Sequence, residues 1–241
     1  MNSIYYLFHD ANFKRLQNLG SYIIKPLIDL FYPPVCIFCT SYLENKRKII
    51  CSACWKKLIK FGPIIINKHK NAVIDKVYIL FKFEDHIRPL IHLFKYNHYL
   101  SLAKYFSDEI IRTYPLLHKN TYQYIIPVPL HPARLRERGY NQSHILAAHL
   151  SSCLHIPVLD HALIRTRNTI SQTKLNNKQR RENVLNAFKC SYPLKDSSIL
   201  LVDDIITTGN TLKECTSVLK SAGVKKVDLL ALAGLAKTVF Y

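Results

Sequence analysis

Apolar and polar residues alternate in strand-like and helix-like segments along the chain from residue 75 onward. The strand-like runs are KVYILFKF (76–83), YQYIIPVPL (122–130), the stretch 158–164, SSILLV (197–202) and KVDLLALAGL (226–235). Apolar residues with helical spacing occupy 100–113, 142–153 and 212–222. Strands and helices in this order predict an α/β domain with a parallel sheet and helices on both faces.

The run LLVDDIITTGNTL (200–212) joins one of these strands to a helix and carries the most specific chemistry. An apolar strand of this kind is buried on both faces, and open parallel sheets bind ligands at the carboxyl ends of their strands. The Gly- and hydroxyl-rich turn before a helix suits a phosphate. The two adjacent acids suit ribose hydroxyls and a nearby Mg²⁺ ion. We therefore predict a ribose 5-phosphate site, with an ordinary turn capped by Thr211 as the alternative.

Seven cysteines include two C-x2-C pairs, CIFC and CSAC, separated by eleven residues. Two such pairs can complete a closed tetrahedral site for a structural Zn²⁺ ion. The predicted ligands are Cys36, Cys39, Cys51 and Cys54. Buried thiols or a redox pair are the alternatives. The remaining three, Cys153, Cys190 and Cys215, are expected to be core or incidental residues.

Composition adds a strong charge imbalance to this picture. The 241 residues are 49% hydrophobic, which suffices for one substantial core beside a small module. The 34 Lys and Arg against 16 Asp and Glu give a formal net charge of +18, which favours anionic partners. A basic surface that serves solubility alone is the alternative. Without a secretory leader or an apolar run of membrane-spanning length, we expect a cytoplasmic protein with no stable membrane insertion.

The chain is predicted to divide into an N-terminal extension (1–20), a zinc-binding module (21–62) and a main α/β domain (75–241). No role is assigned to the extension. The linker between module and domain is expected where FGPIIINKHKNA (61–72) interrupts the periodicity.

Residues 199–211 resemble the phosphoribosyl pyrophosphate (PRPP) loop of type I phosphoribosyltransferases. IIPVPLHPARLRERGYNQSHILAAHLS (125–151), LIHLFKYNHY (90–99) and residues 165–188 are similar to blocks of the ComF/GntX family, which pairs a zinc module with such a domain. The resemblance covers about residue 27 to the end of the chain. It implies that Asp203 and Asp204 hold the ribose hydroxyls, as the residues central to catalysis. It also implies that the 5-phosphate lies on Thr207, Thr208, Gly209, Asn210 and Thr211.

Two basic segments lie near this predicted site. Arg134, Arg136 and Arg138 follow a strand end and could neutralise a diphosphate, with Arg138 the preferred candidate. A solvated basic surface is the alternative. Residues 165–181 hold six basic residues and no acid, and are expected to form either a lid over the site or a clamp on a DNA backbone. The residues proposed for that role are Arg165, Arg167, Lys174, Arg180 and Arg181.

The family resemblance leaves two functions open. One is the handling of single-stranded DNA in natural competence, with PRPP as a ligand and with competence proteins such as a DNA-translocating helicase as partners. Tyr140 and Tyr192 are then candidates for base stacking. The other is an active transferase that moves ribose 5-phosphate from PRPP to an unidentified acceptor. No general base is evident, and His131 is either a base by proximity or a turn residue.

Overall fold

The computed structural model describes residues 33–45, 48–58, 60–61, 64–65, 74–84, 86–118, 122–167 and 184–235. The chain divides into two units, residues 1–58 and residues 59–241. The predicted extension and the lid candidates Lys174, Arg180 and Arg181 lie outside the described residues. The division after residue 58 falls four residues before the predicted end of the zinc module.

The described part of the first unit consists of a tight turn and one short helix. Val35 and Tyr42 form an antiparallel bridge, and the backbone N–H of Cys36 donates to the carbonyl of Ser41 at 2.8 Å. Helix α1, Ser52–Lys56, begins after Cys51. Among the described residues between 33 and 58, the buried apolar side chains are Cys36, Leu43, Ile49, Ile50 and Leu58. A segment with so few buried apolar side chains is typical of modules that a metal ion stabilises.

The second unit is built on a five-stranded sheet. Its strands are β1 Ile64–Ile65, β2 Lys76–Lys82, β3 Tyr124–Pro127, β6 Ser198–Ile206 and β7 Lys226–Gly234. They lie in the order β1-β2-β7-β6-β3. Strand β1 pairs with β2 antiparallel, and β2, β7, β6 and β3 are parallel to one another. Strands β4, Leu163–Arg165, and β5, Phe188–Cys190, form a separate antiparallel pair.

Helices cover both faces of this sheet. The helices are α2 Arg88–Tyr96, α3 Leu102–Thr113, a 3₁₀ turn Pro115–His118, α4 Pro132–Arg138, α5 Gln142–Leu154 and α6 Asn210–Ser221. Helix α6 buries Leu212 and Leu219 in one core with Ile199 and Leu201 of β6. Because strand side chains alternate, Leu200 faces the opposite side, where α5 lies against β3 and β6. The α/β fold predicted from the sequence is confirmed.

Three local expectations need correction. The strand predicted at 158–164 forms only at its end, because Val158 makes an isolated bridge to Ile125, the chain then turns, and β4 begins at Leu163. Arg134, Arg136 and Arg138, which follow a predicted strand end, lie on helix α4, and the apolar pattern did not predict this helix. Pro132 starts that helix with a preset φ angle. Strand β6 also runs past the apolar segment to Ile206, so both acids belong to the strand.

Candidate functional site

An acid pair near the carboxyl end of β6 forms the centre of the site. Oδ1 of Asp203 accepts hydrogen bonds from the Ser143 hydroxyl at 3.0 Å and from the backbone N–H of Asp204 at 2.8 Å. Oδ2 of Asp204 lies 3.0 Å from Nζ of Lys95. Burial, reinforced by the neighbouring Asp204 charge, raises the pKa of Asp203 to about 7. The site therefore stores unfavourable electrostatic energy that a cation or a hydroxyl donor can relieve.

Parallel pairing brings the other contributing segments to this edge. Pro127 at the end of β3 lies opposite Val202, one residue before the acid pair. Asn141 then joins β3 to α5, because its Nδ2 donates to the carbonyl of Val128 at 3.0 Å and its Oδ1 accepts from the N–H of Ser143 at 3.1 Å. Asn141 is thus an N-cap, and it fixes the first turn of α5 against the acids.

The turn after β6 has the features of an anion site. Gly209 adopts φ 74°, a left-handed conformation that allows the chain to enter α6 directly. Gly209 is the N-cap residue of α6 and has no side chain to cap that end. Oγ1 of Thr208 is buried and has no hydrogen-bond partner among the described residues. An unpartnered buried hydroxyl beside a helix N-terminus is costly unless a ligand completes it. Thr207, Asn210 and Thr211 adjoin this position and are partly exposed.

Arg138 belongs to a network that reaches the acid pair. Its guanidinium lies 5.0 Å from the centroid of the Tyr96 ring and donates to the Tyr96 hydroxyl at 3.3 Å and to Oε1 of Gln142 at 3.3 Å. Nε2 of Gln142 in turn donates to the backbone carbonyl of Lys95 at 3.0 Å. The structure therefore connects Arg138 to the Lys95–Asp204 ion pair. Arg136 on the same helix is exposed.

Arg165 lies at the end of β4, with its guanidinium 5.2 Å from the ring centroid of Phe188. Burial lowers the pKa of the Arg165 guanidinium, and the positive charge of Arg134 lowers it further. The negative charge of Asp203 acts in the opposite direction. Arg165 is thus close enough to Asp203 and to Arg134 to interact electrostatically with each. Arg165 is a partly buried strand residue, whereas Arg167 is exposed.

Three candidates from the sequence have other surroundings. Nδ1 of His131 accepts from the backbone N–H of Ala133 at 3.2 Å, so His131 caps helix α4. Tyr140 is buried, and its hydroxyl donates to the carbonyl of Phe94 at 2.5 Å, which removes it as a stacking platform. Tyr192 is 45% exposed and meets Tyr124 edge to face. It keeps a surface that can stack on a base.

Lys95, Gln142 and Ser143 were not identified from the sequence as site residues. Each is near a helix end: Lys95 is in the last turn of α2, and Gln142 and Ser143 begin α5. The signal was the NQS triplet (141–143), whose Asn is a strong N-cap residue at the start of a predicted helix. Lys95 lies in the block LIHLFKYNHY, but only the tertiary fold brings it to Asp204.

The four cysteines of the first unit converge at one point. Their Sγ atoms all lie within 4.8 Å of one another, and those of Cys39 and Cys51 are 3.6 Å apart. A tetrahedral zinc ion with Zn–S bonds of about 2.3 Å requires sulfur separations of about 3.8 Å. The N–H of Cys51 also donates to Sγ of Cys36 at 3.4 Å. The set fits a structural zinc ion. Cys215, by contrast, is buried in the core of the second unit.

No helix within the described ranges is long and apolar enough to cross a lipid bilayer.

Comparison with known proteins gives matches over both units. A model described as "Phosphoribosyl transferase domain" matches residues 141–238, and one described as "Double zinc ribbon domain" matches residues 27–64. Competence protein F of Haemophilus influenzae is 31% identical over 226 residues, covering 82% of this chain and 96% of that protein. Competence protein ComFC of Bacillus subtilis is 26% identical over 220 residues, covering 81% and 83%.

Two further comparisons cover less of the chain. DNA utilization protein YhgH of Escherichia coli K12 is 32% identical over 150 residues, which is 61% of this chain and 66% of that protein. The crystal structure of a purine phosphoribosyltransferase from Pyrococcus horikoshii aligns with a TM-score of 0.33 and 22% identity, covering 56% of this chain and 72% of that one.

Proposed function

The chain belongs to the ComF family of competence proteins, and we propose that it binds PRPP and handles single-stranded DNA in natural transformation. Its phosphoribosyltransferase domain supplies the sugar site and its double zinc ribbon the metal-stabilised module. The observation that carries the PRPP assignment is the combination of a strand-end acid pair with the buried hydroxyl of Thr208, which lacks a partner in the part of the chain that the structure describes.

In this proposal each half of the site recognises one part of the ligand. Asp203 and Asp204 accept hydrogen bonds from the two ribose hydroxyls. Thr208 and the N–H groups of residues 207–211 donate to the 5-phosphate. Arg138 and Arg165 offset the charge of the diphosphate. Mg²⁺ fits beside the two carboxylates, which offer the oxygen ligands it prefers, and when bound it neutralises part of the diphosphate charge.

A calorimetric titration of PRPP with Mg²⁺ into the zinc-loaded protein tests this assignment. We expect saturable binding that Thr208→Val weakens, because valine keeps the shape of threonine but removes the hydroxyl. Thr166→Val is the matched control, since Thr166 contacts a backbone carbonyl on the neighbouring two-stranded sheet. Equal affinity in the wild type and Thr208→Val would contradict the role of the turn.

A basic surface with one exposed aromatic supports the DNA assignment. Lys189, Tyr192 and Lys195 are all exposed along β5 and the turn that follows it. This Lys189–Lys195 strip provides cations for phosphates and a ring for one base, the combination that binds single strands without sequence preference. The formal net charge of +18 adds long-range attraction for the polyanion.

Fluorescence anisotropy with a labelled single-stranded oligonucleotide tests this part. Binding should weaken steeply as salt rises, since contacts to phosphates release condensed counterions. Charge reversal of Lys189 and Lys195 should lower the affinity and the salt slope, whereas reversal of Lys104, an exposed residue of helix α3 outside this strip, should lower the affinity less. A salt-independent affinity would contradict DNA binding.

The second candidate function is an active transferase, and the raised pKa of Asp203 together with the nearby charge of Arg165 favours it. A site arranged in this way can stabilise the charge that develops as diphosphate leaves the sugar. Release of diphosphate from PRPP, measured with a panel of nucleobases, tests this reading. Release that depends on a base and disappears in Asp204→Asn would establish catalysis. Binding of PRPP without any release identifies PRPP as a regulatory ligand.

A further inference from the structure

We propose that Lys95 is an exchanging cation: its ammonium group holds Asp204 in the ligand-free protein and transfers to the diphosphate when the sugar ligand binds. This inference rests on the proposed PRPP site and assigns a positioning residue within it. Nζ of Lys95 lies 3.0 Å from Oδ2 of Asp204. The ammonium group of Lys95 thus occupies a carboxylate oxygen that a divalent cation bound to the acid pair would also use.

The Lys95–Asp204 ion pair is more buried than a surface salt bridge. The side chains of Lys95 and Asp204 are 16% and 14% exposed, whereas those of Lys104 and Asp108, also 3.0 Å apart, are 67% and 49% exposed. Charges shielded from water interact more strongly, while exposed pairs contribute little. Lys95 is therefore a substantial competitor for any other cation at Asp204.

The backbone of Lys95 is fixed while its side chain has freedom to move. Its carbonyl accepts from Nε2 of Gln142 at 3.0 Å, and the next residue, Tyr96, is held by Arg138. Four methylene groups separate this anchored backbone from the ammonium. A lysine side chain of that kind can reorient without any change in the fold. Lys95 therefore contacts Asp204 through its side chain and the Arg138 network, where the diphosphate is expected, through its backbone.

Exchange couples the metal and the anion thermodynamically. Mg²⁺ alone has to displace the ammonium from Asp204 without giving it another partner. A ligand that brings a diphosphate offers the ammonium a new anion at the moment the cation arrives. Each ligand therefore favours the other, and the coupling acts in both directions. The site is selective for the metal–diphosphate pair over either component.

Substitution of Lys95 by methionine should move two affinities in opposite directions. Affinity for Mn²⁺ alone, which takes the same oxygen ligands as Mg²⁺ and is measured by water proton relaxation, should rise by about fivefold or more. Affinity for inorganic diphosphate alone, measured by calorimetry, should fall by a similar factor. Lys95→Arg keeps the positive charge, so both affinities should stay close to those of the wild type. Lys104→Met, which removes the exposed pair at the same distance, should change neither.

The outcomes distinguish this inference from the proposed function. If the wild type binds PRPP but Lys95→Met changes both affinities in the same direction, or neither, the exchange is overturned and the PRPP site stands. If the wild type binds neither PRPP nor diphosphate, the proposed site itself fails. Circular dichroism of Lys95→Met and Lys95→Gln verifies that each variant is folded. Opposite shifts in either folded variant support the exchange.

Discussion

The hydroxyl of Ser143 donates a hydrogen bond to Oδ1 of Asp203 at 3.0 Å, although sixty residues separate the two along the chain. This contact ties the first turn of α5 to the carboxyl end of β6. The Asp204 N–H occupies the same oxygen, so the orientation of Asp203 is set before any ligand arrives. A site that is preorganised in this way loses little entropy on binding.

Asp204→Asn should weaken PRPP binding by about tenfold or more, because hydrogen bonds to a charged group contribute about 1.5–3 kcal/mol. Asparagine keeps the shape of the side chain but removes the charge that Mg²⁺ and Lys95 require. Calorimetry with PRPP and Mg²⁺ measures the change. Asp108→Asn removes an exposed acid of α3 and should leave the affinity unaltered. Equal losses in both variants would refute a local role for Asp204.

Asp203→Asn should stabilise the fold at pH 8 and have little effect near pH 4. The folded pKa of Asp203, about 7, lies above its ordinary value of 3.8. Between these values the folded state binds more protons than the unfolded state, so stability falls as pH rises through that window. Asparagine resembles the protonated acid and removes the cost of ionising a buried carboxyl group. The free energy of unfolding should therefore rise by about 1 kcal/mol or more at pH 8. Urea unfolding at both pH values tests this, and equal effects would contradict the raised pKa.

Gly209→Ala should impair both stability and PRPP binding. Its φ of 74° is left-handed, where a Cβ costs about 1–2 kcal/mol. Gly223, at the other end of α6, has φ 86°, so Gly223→Ala imposes a similar strain away from the acid pair. Thermal unfolding should shift in both variants. PRPP affinity should fall only in Gly209→Ala, and parallel losses would place the anion site elsewhere.

Cys51→Ser should release the zinc ion and unfold the first unit while the second keeps its structure. Loss of one thiolate opens a closed four-sulfur site, and the small buried core of that unit cannot compensate. Elemental analysis should give one zinc per wild-type chain and none in the variant, and limited proteolysis should cleave near residues 33–58. Cys153→Ser, outside the cluster, should retain the metal. Full zinc retention in Cys51→Ser would disprove the assigned ligand set.

Strands β2, β3, β6 and β7 and helices α3, α5 and α6 were predictable because each carries a regular apolar pattern. Strand β1, which has only two residues, lies in the segment predicted to be a linker. The acids at the end of β6 were predictable as site residues because parallel sheets bind ligands at the carboxyl ends of their strands. The cysteine pairs were predictable from spacing alone. Helix α4 was missed because its polar sequence, PARLRER, buries no residue and carries no apolar period.

The side chains that complete the site could not be found in this way. Lys95 reaches Asp204 only because β2, β7 and β6 lie side by side, a relationship that depends on strand order. Arg165 seemed part of a polar loop, yet packing over Phe188 places it in a strand beside the acids. The sequence alone does not show whether Tyr140 is exposed or buried. In the structure its hydroxyl donates to the carbonyl of Phe94 inside the protein.

The most direct test of the central claim is calorimetric titration of PRPP with Mg²⁺ into the zinc-loaded wild-type protein and into Asp204→Asn. We expect saturable binding of one PRPP per chain in the wild type and an affinity at least tenfold lower in the variant. No measurable binding in the wild type, or equal binding in both proteins, would contradict a phosphosugar site at Asp203 and Asp204.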